Sequence, residues 1–175
     1  MAHALTIPRL AGMYRGRLHS PARKKGIDWA AAGWAGIAAG VVYILLESAL
    51  LSMFTGGPTS DAMRQIAQIA LSEATLPPRD SFTVLVFMMA MAVHLPLSLL
   101  YARILATLID GMKASTAVAI GAAYGAGLYV INYYAFTGIF PWFAAARGWM
   151  TLASHIVFGV VAAEGYVLLT ERRTR

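Results

Sequence analysis

Four polar side chains, Glu47, His94, Asn132 and His155, stand one to each long apolar run of this sequence, and their types can do chemistry. Glu47 lies 19 residues after Asp28 and Asn132 19 after Lys113; His94 lies 16 before Asp110 and His155 16 before Glu171. At the rise of a helix, these spacings place all four roughly 24 to 28 Å from the charges at one end of each run. Ionisable groups at such depth in a membrane are costly and usually face a bundle interior or a wet cavity. Two imidazoles, a carboxylate and an amide at one depth can hold a divalent metal, a quinone headgroup or a relayed proton. Two histidines there can also flank a haem. The competing reading is internal glue: hydrogen bonds between facing helices, each worth less than ~1 kcal/mol, that fix register.

A second constellation is Arg103 and Glu164, each nine residues beyond a histidine. A buried Arg103–Glu164 ion pair would satisfy both charges, and snorkelling to the headgroups is the alternative. No Ser/His/Asp triad, phosphate loop or zinc-protease motif is present. The absence of cysteine excludes disulfides, thiolate catalysis and thioether-attached haem. No reaction is legible in these residues, and the balance favours a protein that is not an enzyme.

The elements that must position the four residues follow from composition. The chain is 59% hydrophobic and 13% charged, with a mean hydropathy of +0.64; soluble domains are about 25% charged. Four segments, about 30–54, 82–108, 115–138 and 150–169, reach the roughly 20 residues that span a bilayer core. The expected fold is an all-α integral membrane protein, a four-helix transmembrane bundle over 29–171. A basic arm, 1–28, precedes it and a basic tail, 172–175, follows. Of the 14 basic residues, 11 fall in the arm, the connection between spans two and three with its approach (Arg103 and Lys113), and the tail. The positive-inside rule then places both termini in the cytoplasm. The net charge of +6 reads as topology and attraction to anionic lipid, not as a nucleic-acid surface.

The spans pair as a tandem helical-hairpin repeat. Gly36, Gly40 and Glu47 have the same offsets as Gly121, Gly125 and Asn132; His94, Ser98 and Arg103 match His155, Gly159 and Glu164. The glycine pairs are small-residue stripes that let helix backbones approach in lipid, and they predict close packing of spans one and three. The first outer connection, broken at Gly56, Gly57 and Pro58, predicts an amphipathic helix over about 60–75. It would lie on the outer leaflet or cap the bundle. Trp29, Trp142 and Trp149 at span boundaries read as interface anchors, the alternative for the second outer connection being an aromatic lid over the polar ring.

At span three the sequence resembles a known group. The run Asn132-Tyr133-Tyr134-Ala135-Phe136-Thr137, then Phe140-Pro141-Trp142-Phe143-Ala144, Ala146-Arg147, Trp149, Ser154-His155 and Phe158-Gly159 is similar to small bacterial inner-membrane proteins with four spans. Leu46-Glu47, Met63 to Leu71 and Ala92-Val93-His94 also fit. Some members carry the label sodium:proline symporter, but such symporters have far more spans and binding sites built from broken helices. The resemblance implies the fold and the bacterial inner membrane, and supplies no activity.

Two functional expectations follow. The first is an accessory or structural subunit of a larger membrane complex, in contact with lipid and other membrane subunits. The second is a metal-, haem- or quinone-binding, or proton- or ion-handling, protein that uses Glu47, His94, Asn132 and His155.

Overall fold

The computed structural model describes residues 26–71, 73–78 and 84–172. Most of the basic arm, Arg79 and the last three residues of the tail lie outside them. Every regular element among the described residues is helical: α1 (Trp29–Thr55), α2 (Asp61–Ala67), α3 (Val84–Ile109), α4 (Ala114–Val130) and α5 (Trp149–Arg172), with short 3-10 and π turns between. Among the described residues four segments are long and apolar enough to cross a membrane: α1, α3, α5 and the stretch Ala114–Gly138, in which α4 continues into a π-helix at Ile131–Ala135. Local chemistry sets several ends. The Asp28 carboxylate caps α1 by accepting from Ala31 N at 2.9 Å. Gly56 stops α1 in the left-handed conformation, at φ 69°, where a side chain would be strained.

Around the bundle the order is α3, α1, α5, α4; α3 and α4 touch little. Alanines fill the centre: Ala31, Ala35 and Ala39 of α1, Ala102 and Ala106 of α3, and Ala162 and Ala163 of α5 are all buried. At one end Tyr166 donates to Asp110 Oδ1 at 2.6 Å and accepts from Asp28 N at 3.4 Å. This ties α5 to the end of α3 and the start of α1.

The glycine stripes do pack, but not on each other. A Cβ added to Gly36 would meet Ala102 Cβ at 2.8 Å and Ser98 O at 2.9 Å, both on α3. One added to Gly121 would meet Ala163 Cβ at 2.7 Å and collide with Gly159 O; one at Gly125 would collide with His155 O. The expected contact between spans one and three is therefore replaced by α1 on α3 and α4 on α5. Close approach needs small residues on both partners. Ser98 and Ala102, like Gly159 and Ala163, supply a matching stripe one turn apart.

The connection between α1 and α3 is a cap on the bundle. Ala62, Arg64 and Ala67 of α2 are buried, and Met63 and Ile66 pack against the core. The helix ends at Ala67, short of the expected residue 75, because the chain must turn back. Arg64 Nη1 donates to Pro77 O at 2.7 Å and to Pro78 O at 3.5 Å. Eight more helical residues would carry the chain ~12 Å onward and break that closure.

Candidate functional site

Tyr43 and Glu47, one turn apart on α1, both face inward and are buried. The Tyr43 ring contacts both histidines. It stacks on His94 at 5.3 Å between centroids and meets His155 edge-on at 4.9 Å. Hydrogen bonds then run across the bundle. Tyr101 OH donates to Asn132 Oδ1 at 3.2 Å, and Asn132 Nδ2 lies 3.3 Å from His155 Nε2. His155 Nδ1 lies 2.8 Å from Thr151 O, and Thr151 Oγ1 donates to Glu47 Oε1 at 2.8 Å, the same distance it keeps from Ala146 O.

The partners assign the tautomers. A carbonyl oxygen only accepts, so His155 carries its proton on Nδ1 and receives the Asn132 amide at Nε2. His94 Nε2 lies 2.8 Å from Gly40 O, so it carries the proton, and the neutral ring offers Nδ1 as an acceptor. Ser98 Oγ is 3.4 Å from the same Nε2.

Between α3 and α4, where the bundle is least closed, lies a cavity of about 490 Å³. His94, Ser98, Tyr101, Asn132, Tyr133 and His155 form its polar side; Leu97, Leu128, Phe136 and Phe158 are among its apolar walls. Ile66 of α2, Ile69 just after it, and Phe140 and Phe143 at the 3-10 turn Pro141–Ala146 that precedes α5 also line it. Trp142 Nε1 donates to Gln65 O at 3.2 Å and links those two pieces. Leu100 and Phe136 line the cavity and yet are 51% and 38% exposed, so its mouth opens on the outer, apolar face of the bundle.

The π-helix puts Asn132 there. Single π turns inside helices recur at functional sites because they re-aim side chains. This one is held by Arg147, whose Nε donates to Tyr133 O at 2.7 Å, whose Nη2 donates to Thr137 Oγ1 at 3.0 Å, and whose guanidinium lies 4.4 Å from the Tyr134 ring centroid.

Three of the four sequence-derived residues, His94, Asn132 and His155, thus face one cavity. Glu47 stands behind it, 3% exposed and reached through Thr151. Its Oε2, together with Ser48 Oγ and Ser154 Oγ, has no hydrogen-bond partner among the described residues. Thr151 and Tyr43, which join the set, escape a search for unusual residue types. Their signal is helical spacing, since each lies one turn from a polar residue on the same face: 151 from 155, 43 from 47.

Among the described residues no three His, Asp or Glu side chains gather as a metal site would need. Tyr43 packs against both imidazoles. Arg103 and Glu164 are both exposed, and among the described residues they make no ion pair. Each follows a buried alanine, Ala102 or Ala163, and is therefore turned ~100° away from the interior. Trp29 and Trp149 are exposed at the starts of α1 and α5, whereas Trp142 is half-buried against Phe143, with its bond to Gln65.

Scans of protein-family models, curated proteins and solved structures found nothing that matches this chain.

Proposed function

We propose that this chain is a bacterial inner-membrane protein that binds an apolar small molecule, taken up sideways from the bilayer between α3 and α4. The carrying observation is the cavity at that seam: about 490 Å³, mostly apolar, open where Leu100 and Phe136 are exposed, with a few placed polar groups. Small-molecule sites have this character and a volume of ~300–1,000 Å³. The distribution of basic residues supports an orientation with both termini cytoplasmic, which puts α2, the aromatic turn and the cavity in the outer half. On the run from Asn132 to Gly159 we group the chain with the small four-span proteins it resembles.

The two hairpins are read as a tandem repeat, and their packing supports it. Gly36 meets Ser98 and Ala102, while Gly121 meets the equivalent Gly159 and Ala163. The repeat also accounts for the opening. α1 and α5 approach over Ala35 and Gly165, with Ala39 and Ala162 buried beside them. The equivalent positions on α4 and α3 are Ile120, Ile104, Tyr124 and Tyr101. Large residues replace small ones at all four, so the second interface stands wider than the first. Tyr124 OH, donating to Tyr101 O at 3.0 Å, braces it.

The competing function is the accessory subunit, with the hydrogen-bond chain as glue. The two separate on a binding measurement. The protein, reduced to Trp142 alone, is titrated in detergent with a bromine-labelled alkyl chain that quenches tryptophan. Saturable quenching that is lost in Leu128→Phe, which narrows the cavity without adding a tryptophan, supports binding. Quenching unchanged by that substitution, with co-isolation of larger subunits, supports the accessory role.

A further inference from the structure

The ligand can be narrowed by the groups that line the cavity, and this step rests on the binding function proposed above. We infer that the cavity takes a neutral, flat ring with carbonyl or hydroxyl groups at separated positions, the chemistry of a quinone headgroup with an apolar tail. Three features point there.

The first is charge. Among the described residues no Lys, Arg, Asp or Glu lines the cavity, and Glu47 accepts from Thr151 instead. A fatty-acid carboxylate or a phosphate would be left without a counter-charge in a low-dielectric site, which is costly. The second is shape. Tyr43, Tyr133, Phe136, Phe140, Phe143 and Phe158 surround the space. Aromatic faces and edges favour a planar ring over a bare alkyl chain.

The third is the set of hydrogen-bonding atoms left over once internal bonds are counted. Asn132 Nδ2 has two protons and gives one to His155, which leaves a donor for a carbonyl oxygen. His94, holding its proton toward Gly40 O, keeps Nδ1 to accept from a ring hydroxyl. The two groups come from opposite sides of the seam, α3 and the π-helix after α4. A ring substituted at separated positions meets both, and its tail leaves through the mouth between Leu100 and Phe136 into the bilayer.

The test uses the full chain in nanodiscs of neutral phospholipid free of quinone. The probe is a short-tailed benzoquinone carrying one ¹³C-labelled carbonyl, and the competitor is a linear isoprenoid alcohol. The expected results are saturable micromolar binding by Trp142 quenching, at least tenfold weaker binding of the alcohol, and about tenfold loss in Asn132→Leu. Tenfold corresponds to one hydrogen bond of about 1.4 kcal/mol. The infrared band of the labelled carbonyl, read on the unmutated protein, should move to lower frequency on binding, which keeps the test valid if the variant misfolds. Equal binding of quinone and alcohol with an unmoved carbonyl band overturns the quinone assignment and leaves apolar binding standing. Binding of neither overturns both.

Discussion

Substituting alanine at three glycines of the bundle should produce a graded loss of stability set by what each new methyl meets. At Gly127 there is nothing within 4 Å, so Gly127→Ala should cost nothing. At Gly40 the methyl meets Ser98 Oγ at 2.5 Å and Ser98 Cβ at 2.9 Å. The hydroxyl can change rotamer, so α3 need yield only a few tenths of an ångström, and Gly40→Ala should cost about 1 kcal/mol. At Gly125 the obstacles are backbone: the His155 carbonyl oxygen, and Ile156 Cα at 3.0 Å. No rotamer relieves that overlap, and α4 must part from α5 along its length. Gly125→Ala should therefore cost about 3 kcal/mol, the upper end for overpacking. It also pushes on His155 itself, so the Asn132–His155 bond should weaken with it. The assay is reversible unfolding in mixed detergent and dodecyl sulfate micelles, followed by far-ultraviolet circular dichroism. A Gly125→Ala protein within about 0.5 kcal/mol of the parent, or a reversed order of Gly40 and Gly125, would refute the packing argument.

Three further outcomes are expected. Glu47→Gln keeps the acceptor for Thr151 and the volume of the side chain, so it should fall within about 1 kcal/mol of the parent; Glu47→Ala should cost about 2–3 kcal/mol in the same micelles. Equal costs for the two would mean that neither the acceptor nor the volume sets the cost. Arg64→Met releases Pro77 O and Pro78 O, so hydrogen exchange in residues 68–78 should quicken, with a stability loss of about 1–3 kcal/mol; unchanged exchange would show that Arg64 does not hold the cap. Reporter fusions at residues 57 and 146 should read extracytoplasmic and those at 112 and 175 cytoplasmic, and an inverted pattern at 112 or 175 would overturn the assigned topology.

The spans were legible in the sequence because hydropathy and length decide them, and Asp28, Gly56 and the histidines lie where their patterns require. The neighbours of each span were not. A helix apolar on every side has no amphipathic face to reveal its rotation. The glycine stripes announced close contacts without naming their partners, which depend on where α3 and α5 carry their own small residues. Arg103 and Glu164 were equivalent in spacing and so invited pairing, but each follows a buried alanine and is turned outward. Asn132, His94 and His155 stood out as expensive residues in an apolar run. Tyr43, Tyr101 and Thr151 did not, because tyrosine and threonine are ordinary in spans. The π-helix that aims Asn132 leaves no mark in composition; it becomes visible only with Arg147 seated on the Tyr133 carbonyl.

The central claim is that a molecule from the bilayer reaches the cavity through the mouth at Leu100 and Phe136. The chain has no cysteine, so Leu100→Cys with Phe136→Cys gives two unique thiols on that rim. Joining them with a cleavable bis-maleimide, then measuring quenching of Trp142 by the short-tailed quinone and the brominated alkyl chain, tests the claim directly. The account predicts saturable binding before closure, none after it, and recovery on cleaving the linker. Binding unaltered by closure would contradict it.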